Sequence, residues 1–564
     1  MRILLLASAF NSLSQRVHAE LRDLRHTVEV RLAGDDAALR EDVRRLEPDC
    51  VLAPMLRSAI PRDVWSAVPC LVVHPGPPGD RGPSSLDRAV QEGVTEWGVT
   101  VLQAEEEMDA GPVWAWAPCR LVPGLGKGDL YRNEVSDAAV RAVLLAVERL
   151  ASGDYAPRPQ HGPDWRVAVR TRPFLRQEER RIDWAGHSTE EVLRRLHAAD
   201  SQPGVLDAFC GGEWYLHGGH SEPGLRGRPG DVLATRDGAV CRATSDGAVW
   251  IPELRRRRAP GGPETFRLPA VTALGPLLPR VPEFSAALMP AEDGRPEWAD
   301  VRYREEGPVG FLQFSFPGGA MSTEQCRRLL SAYRFALGRP TSVVVLGGGR
   351  DFFSNGIHLN VIEAAPDPAG ESWANITAMD DLVAEVLTTT DRLVVAALGG
   401  NAAAGGVMLA LAADEVWCRR GAVLNPHYRL MGLYGSEYWT YSLPRRVGAA
   451  EAERLTAQAL PVSSATAQRI GLVDRVLPCG PQEFGPAAAR LAGLLAASPT
   501  AQQRIAAKKA ARERDELARP LAAYREEELA VMRQQFFSPE EPYHALRSAF
   551  VRKRPATARS AAPR

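Results

Sequence analysis

Two groups of residues in this chain have the composition of reaction centres. The first is residues 425–441, NPHYRLMGLYGSEYWTY, where a single carboxylate, Glu437, stands among Tyr428, Tyr434, Tyr438, Trp439 and Tyr441 with Gly432 and Gly435 beside it. Exposed rings forfeit burial and make patches that associate, and buried phenols need hydrogen-bond partners. The pattern therefore fits the wall of a pocket that is apolar in body and polar at a few points. The alternative is an aromatic packing cluster on a helix, with Glu437 as a solvated neighbour. The second group is a pair distant in sequence: His74, closing the apolar run LVVH, and Asp109, in MDAGP. Brought together, an imidazole and a carboxylate can move a proton at a reacting carbonyl. A lone His before a Pro is otherwise an ordinary loop residue.

The elements that must position these residues are legible as periodicity. Apolar runs at 2–8, 50–54 and 70–73, separated by helical stretches, predict an open parallel sheet of an α/β domain. His74 then falls at the carboxyl end of a strand, where such sheets present their ligands, followed by the Pro/Gly loop PGPPGDRG and a helix starting after Pro83, Ser84 and Ser85. Residues 97–121 predict a hairpin with Asp109 at its tip. No G-x-G-x-x-G follows the first strand, which disfavours NAD. From 180 to 258, short strands with Asp237-Gly238 and Asp246-Gly247 turns predict a small barrel; Arg255 to Arg258 is either a phosphate contact or a solvated edge. Residues 259–302 are rich in Pro and Gly and predict a linker. A second αβ pattern begins at 310–315, with a helix over 323–337 and a strand at 342–346. Two later strands each enter a Gly-rich bend and then a helix, at GGGRDFFSNGIHL and ALGGNAAAGGVM. Two such bends can aim backbone N–H groups at one point. Residues 500–550 predict a charged helical tail broken near Pro520, of the kind that packs back on its domain or makes oligomer contacts. The last dozen residues are expected to be disordered.

The whole chain bounds the rest. Its 564 residues allow three or four domains, and 45% hydrophobic residues supply real cores. Lys plus Arg number 68 against 69 Asp plus Glu, so nothing electrostatic argues for a nucleic-acid or anionic-membrane partner. Eight scattered cysteines, with no C-x-x-C pair or nearby His at ligand spacing, argue against a disulfide framework or a zinc site; no metal is expected, and the usage fits a reducing cytoplasm. MRILLLASAF is too short in its apolar run for a signal peptide, and no later run approaches the roughly 20 residues of a membrane span.

The strand-H-P-G-loop pattern, with a later V-T-V and D-x-G, resembles the 10-formyltetrahydrofolate formyltransferases, and the 180–258 block is similar to the carboxyl-terminal subdomain of the tRNA members. The resemblance implies that His74 and Asp109 flank the formyl group. The Asn of that family, two residues before the His, is Val72 here, a missing donor of a kind whose loss costs acyl-transfer enzymes about 2.7–4 kcal/mol. F-S-N-G-I-H-L and A-A-A-G-G-V-M resemble the crotonase, or enoyl-CoA hydratase and isomerase, superfamily. That implies a β/α spiral domain with an oxyanion hole from the N–H groups of Ile357 and Gly405. The two hydratase carboxylates fall at Met408 and at or beside His427, so water addition to an alkene is not expected; Glu437 arrives ten residues later.

The two halves in this order, with GSEYWTY, are similar to a family of nickel-iron hydrogenase maturation proteins implicated in making carbon monoxide through formyl-CoA. The implied organisation is a formyltransferase-like open Rossmann-like domain (1–165), an OB-like barrel subdomain (166–270), a linker (271–302), a crotonase-like domain (303–500), a helical tail (501–550) and a disordered end (551–564). The implied substrates are 10-formyltetrahydrofolate and coenzyme A, with maturation proteins as receivers of the gas. No G-x-x-x-x-G-K-[ST] is present to activate free formate with ATP. His74, Asp109, Glu437, Tyr428, Ile357 and Gly405 are the expected catalytic groups. Asn11, Arg16, Gly76, Gly79, Arg81, Ser84 and Ser85 are expected to line the first site, and Tyr434, Tyr438 and Trp439 the second. Arg132, Arg445, Arg547 and Arg552 are the basic residues considered for the CoA phosphates. The competing expectations are a hydrolase releasing formate and a non-catalytic folate- and CoA-binding scaffold.

Overall fold

Apolar residues without alternation, Ile3–Ala7, can be satisfied only by a strand covered on both faces. In the computed structural model they form the buried body of strand β1 (Arg2–Ala7). The residues described are 1–160, 170–289 and 297–554. The chain divides between Asp207 and Ala208 into two compact units.

In the first unit, β2 (Thr27–Leu32), β3 (Cys50–Met55), β4 (Cys70–His74), β5 (Glu96–Gln103) and β6 (Val113–Arg120) join β1 in a six-stranded sheet of order β2-β1-β3-β4-β5-β6. The first four strands are parallel. β5 runs antiparallel to both its neighbours, β4 and β6, so the sheet is mixed, as the 97–121 hairpin requires. Helix Ser12–Asp23 buries Leu13, Val17 and Leu21, one stripe at helical spacing, and Asn11 caps it by accepting from Ser14 N. Helix Ser136–Ser152 packs its buried alanines and valines against β5 and β6.

The second unit begins with two small sheets. Val232–Arg236, Ala239–Ala243, Ala248–Ile251 and His220–Glu222 form one antiparallel sheet; Glu253–Arg256 pairs with Gly212–His217 and Leu268–Pro269 in the other. The Asp237-Gly238 turn has both residues at positive φ, 51° and 84°, the geometry a tight two-residue hairpin needs. This is the β-rich subdomain expected at 166–270. Its amino-terminal part, through helix Thr189–Ala199, belongs to the first compact unit. Arg255 and Arg256 lie over the rings of Tyr215 and Trp214, and Arg257 pairs with Glu213, so these three are held by side chains of the neighbouring strand.

β7 (Val301–Glu306) and β8 (Val309–Phe314) follow as a hairpin. β7 begins inside the stretch read as a linker: its charged residues (VRYREE) masked it, because only Val301 and Tyr303 are fully buried. β9 (Val343–Gly347), β10 (Phe352–Ser354), β11 (Leu393–Leu398), β12 (Asn401–Ala403), β13 (Glu415–Arg419), β14 (Val423–Asn425), β15 (Val462–Ser463) and β16 (Arg475–Leu477) complete a two-sheet spiral. One sheet has the order β7-β8-β9-β11-β13-β16 and the other β10-β12-β14-β15. Helix Thr323–Leu337 matches the expected span and opens on a capping box between Ser322 and Gln325. The tail forms helices Ala501–Ala518, Leu521–Phe537 and Pro542–Val551, broken at Pro520. Leu521, Met532, Phe536 and Tyr543 bury into the core of the spiral, so the tail packs back on its own domain. Residues 555–564 and 290–296, within the expected disordered end and linker, lie outside the described residues, as do 161–169 around the expected first boundary. Among the described residues no helix is long and apolar enough to cross a membrane.

Candidate active sites

In the first unit β4 delivers His74 at its last residue, opposite Thr100 of β5. Trp97 Nε1 donates to the carbonyl of Pro75 at 2.9 Å and Thr100 Oγ1 to that of Gly76 at 2.7 Å, fixing the turn that follows. Gly76 must lack a side chain, since a Cβ there would stand 2.5 Å from His74 Nε2 and 2.8 Å from Asp80 Oδ1. His74 is 3% exposed and lies between two carboxylates: Nδ1 is 3.5 Å from Asp109 Oδ1 and Nε2 is 3.3 Å from Asp80 Oδ1. Burial pulls the imidazole down, but Asp109 and then Asp80 outweigh it and hold the ring up at about 9. Burial also works against the charge of Asp109, yet the His74 cation keeps that carboxyl below the usual range. The two carboxyl groups thus favour the protonated form of the His74 ring.

Asp80 is placed by Arg172, whose Nε lies 3.0 Å from Asp80 Oδ2. Asp109, at φ 57°, accepts from Gly82 N through Oδ2, and its carbonyl accepts from Gln160 Nε2 at 2.7 Å. Gln160 Oε1 in turn accepts from Gly79 N at 3.0 Å, so one buried amide ties the loop after His74 to the loop carrying Asp109. Ser85 Oγ lies 3.4 Å from His74 Nε2. Val72 sits inside β4, paired with Ala53 and Leu102, and offers no donor.

The remaining expected residues of this unit divide. Ser84 precedes helix Ser85–Gln91 but does not cap it; its hydroxyl accepts from Leu175 N instead. Asn11 has its side-chain oxygen committed to the helix cap and its amide 3.4 Å from the Tyr131 hydroxyl. Arg16 pairs with Glu20 and Asp137. Arg132 lies in the π-helical turn Tyr131–Val135. Arg81 pairs with Glu107, while its buried Nε has no hydrogen-bond partner. Asp80, Arg172 and Gln160 were not singled out from sequence; the only signal was Asp80 within GDRG.

In the second unit the two Gly-rich bends meet. A Cβ on Gly356 would stand 3.2 Å from Gly405 N, and among the described residues the N–H groups of Ile357 and Gly405 enter no backbone hydrogen bond. Ala404, just before Gly405, holds φ 49° and ψ −130°, a conformation that costs a residue with a side chain about 1–3 kcal/mol. The first bend is pinned by Asn375: its Oδ1 accepts from His358 N at 3.0 Å and its Nδ2 donates to the Met321 carbonyl at 2.9 Å.

Glu437 is 1% exposed and sits against that pair: a Cβ on Gly405 would overlap Glu437 Oε1 and stand 2.6 Å from its Cδ. Tyr428 donates its hydroxyl to Glu437 Oε2 at 2.9 Å, and the missing side chain of Gly435 makes room for the Tyr428 ring. Burial, and next the nearby Asp380, push the Glu437 carboxyl up to about 8; burial and Glu437 push Tyr428 well above its usual range. Asp380 and Glu528, both fully buried, accept the backbone N–H groups on either side of the Glu437 side chain, and burial pushes each of them up to about 7. Tyr434 and Trp439 pack edge to face with centroids 5.4 Å apart, and Tyr438 is buried. Of the aromatic segment, Tyr428 touches the Glu437 carboxyl, while the Tyr441 hydroxyl donates to Asp515 instead. His427 is pushed down to about 4 by burial and carries no charge near neutral pH; Met408 is fully buried.

Of the four basic residues considered for CoA phosphates, three have carboxylate partners within the second unit. Arg445 pairs with Asp515, and both Arg547 and Arg552 pair with Glu363. Asp380, Glu528 and Asn375 were missed in the sequence because they sit on helices far from the aromatic segment. The signal for Asp380 was two acidic residues in an otherwise apolar stretch, NITAMDDLV.

Comparison with known proteins finds three families along the chain. The Formyl transferase family matches residues 26–147, its C-terminal domain family matches 175–265, and the Enoyl-CoA hydratase/isomerase family matches 319–558. The hydrogenase maturation factor HoxX of Bradyrhizobium diazoefficiens is 49% identical over 558 residues, 98% of this chain and 95% of that one. A methionyl-tRNA formyltransferase of Thermus thermophilus is 29% identical over 230 residues, 39% of this chain and 70% of its own. A crystal structure of HypX from Aquifex aeolicus in complex with tetrahydrofolic acid superposes with a TM-score of 0.93 at 43% identity, covering 99% of this chain and 97% of that one.

Proposed function

From its membership of the family of hydrogenase maturation factors HoxX and HypX, to which this chain belongs, and from the chemistry of its two sites, we propose that it makes carbon monoxide in two steps. In the first, the thiol of coenzyme A attacks the formyl carbon of 10-formyltetrahydrofolate; the carbon–nitrogen bond breaks, giving formyl-CoA and tetrahydrofolate. In the second, formyl-CoA loses its formyl proton and its carbon–sulfur bond breaks, giving CO and the CoA thiolate, which recovers that proton.

The tetrahydrofolic acid complex of the Aquifex aeolicus protein supports a folate substrate, and the Formyl transferase match at residues 26–147 supports placing it in the first unit. There the His74 imidazolium is an acid rather than a base at neutral pH. It donates to the oxygen of the tetrahedral intermediate as one carboxylate contact, 3.3 Å to Asp80 or 3.5 Å to Asp109, yields. Asp109 keeps the ring oriented and receives charge back as the intermediate collapses.

The observation that carries the second step is the Glu437 carboxyl, buried beside Gly405 and poised near 8. The free N–H groups of Ile357 and Gly405 suit a thioester oxygen. Formyl-CoA has no α-carbon, so these amides cannot be serving an enolate. A carboxyl titrating about 8 is close to the roughly 8.5 of a thiol, so the ionised form of Glu437 can take the formyl proton and hand it to sulfur with little energy difference either way. Tyr428 holds that carboxyl at 2.9 Å, and Tyr434, Tyr438 and Trp439 exclude the water that would divert formyl-CoA to formate.

The test is to supply 10-formyltetrahydrofolate labelled with ¹³C in the formyl group, with CoA, and trap gas on ferrous haemoglobin. Labelled CO on the haem is expected. Labelled formate alone, with CoA in excess, overturns the reading in favour of a hydrolase.

A further inference from the structure

Glu437 does not hold its own position. It and Tyr438 are consecutive non-glycine residues in the left-handed region, at φ 61° and 58°, each costing about 1 kcal/mol or more. A turn of this kind persists only where its surroundings over-determine it. Two carboxylates from different helices do so. Asp380, on helix Pro368–Thr388, accepts from Glu437 N at 2.8 Å and from Ser436 Oγ at 2.8 and 2.9 Å. Glu528, on helix Leu521–Phe537, accepts from Tyr438 N and Thr440 N, each at 2.9 Å, and from the Thr440 hydroxyl. Those amides open helix Trp439–Val447, so Glu528 caps that helix from outside, where a negative charge is favoured.

We propose that Asp380 and Glu528 are positioning residues for Glu437: between them they clamp the amides on both sides of its side chain and deliver its carboxyl group to Gly405. This rests on the reading of Glu437 as the group that handles the formyl proton. It extends that reading to residues that touch neither substrate nor the oxyanion amides, and it gives the helical tail a part in the chemistry through Glu528.

The arrangement also sets the charge of the site. The groups facing Glu437 are Tyr428 from its own segment, Asp380 from Pro368–Thr388, Glu528 from Leu521–Phe537 and Cys326 from Thr323–Leu337. Arg525 is the nearby cation, with Nε 3.7 Å from Asp380 Oδ2 while its Nη2 bonds Asp381 at 2.6 Å. Arg525 reaches Asp380, one of three buried carboxyl groups, so charge on Asp380 or Glu528 favours the protonated form of Glu437.

The experiment uses the full-length protein with ¹³C at glutamate side-chain carboxyls, the Glu437 signal being identified by its loss in Glu437→Gln. Asp380→Asn keeps an acceptor but removes the charge; the Glu437 titration is expected to move down by about one unit or more, and the pH profile of CO release from formyl-CoA to move with it. Glu528→Gln removes the acceptor for one of two amides and should lower kcat about tenfold with KM for formyl-CoA little changed. An unmoved Glu437 titration in Asp380→Asn, with an unmoved pH profile, overturns the proposal. If the titration moves but Glu437→Gln releases CO at the normal rate, the positioning stands and the reading of Glu437 as the proton carrier fails. Where a variant unfolds, as read by its melting temperature, Asp380→Glu takes the place of Asp380→Asn: it keeps the charge and displaces the acceptor, so kcat should fall while the titration stays high.

Discussion

The carboxyl group of Glu437 fills the space that any side chain on Gly405 would need. The residue that supplies an oxyanion amide and the residue that supplies the carboxyl are therefore complementary in volume. Gly405→Ala should expel Glu437 from its position and cut CO release from formyl-CoA by on the order of a hundredfold or more, the scale of losing one oxyanion donor. Formyl transfer in the first unit should be unaffected. Separate assays of the two half-reactions check both outcomes.

Glu437→Gln keeps the shape and removes the proton carrier. CO release should fall about 10²–10⁴-fold, and formyl-CoA should accumulate when both substrates are supplied. Chromatographic detection of that thioester is the measurement.

Tyr428→Phe removes the hydroxyl that stabilises ionised Glu437, so the Glu437 titration should move up from about 8. The rate of CO release should become more alkaline-shifted and lower near neutral pH. A pH series on the isolated second step reads this directly.

His74 is held up at about 9 from an ordinary 6.5. A raised folded-state pKa contributes stability that is full below the unfolded value and is lost as pH rises through the folded one. The melting temperature of the first unit should therefore decline between about pH 6.5 and 9, and formyl transfer should fall as pH rises through about 9. In His74→Asn the decline in melting temperature should flatten and transfer should drop by at least about a hundredfold.

Asp80→Asn should lower the His74 titration while leaving Asp109 in place, moving the alkaline limb of formyl transfer to lower pH. An unchanged limb would assign control of the imidazole to Asp109 alone.

Much of this was legible in residue type and spacing. The strand ending at His74, the hairpin bringing Asp109 back and the two Gly-rich bends each follow from local periodicity and turn chemistry. The crowding of rings around Glu437 was readable because so many phenols in so few residues have no use on a surface. What was not legible depends on tertiary pairing. Asp80 is one of several acidic residues until Arg172 and His74 close on it, and the 301–306 strand is too charged to read as buried. Asp380 and Glu528 find their partners 57 and 90 residues away. Arg547 and Arg552 are two basic residues among many in the sequence, and their common partner Glu363 lies 184 and 189 residues away.

Helix Pro368–Thr388 carries both Asn375, which pins the Ile357 bend, and Asp380, which pins Glu437. In the mechanism proposed above, polarisation of the thioester and handling of its proton would thereby be put in register by a single rod. Substitutions in the FSNGIHL and GSEYWTY segments, though remote in the chain, should then be non-additive with each other, the signature being a double-mutant coupling that vanishes once Asn375 or Asp380 is removed.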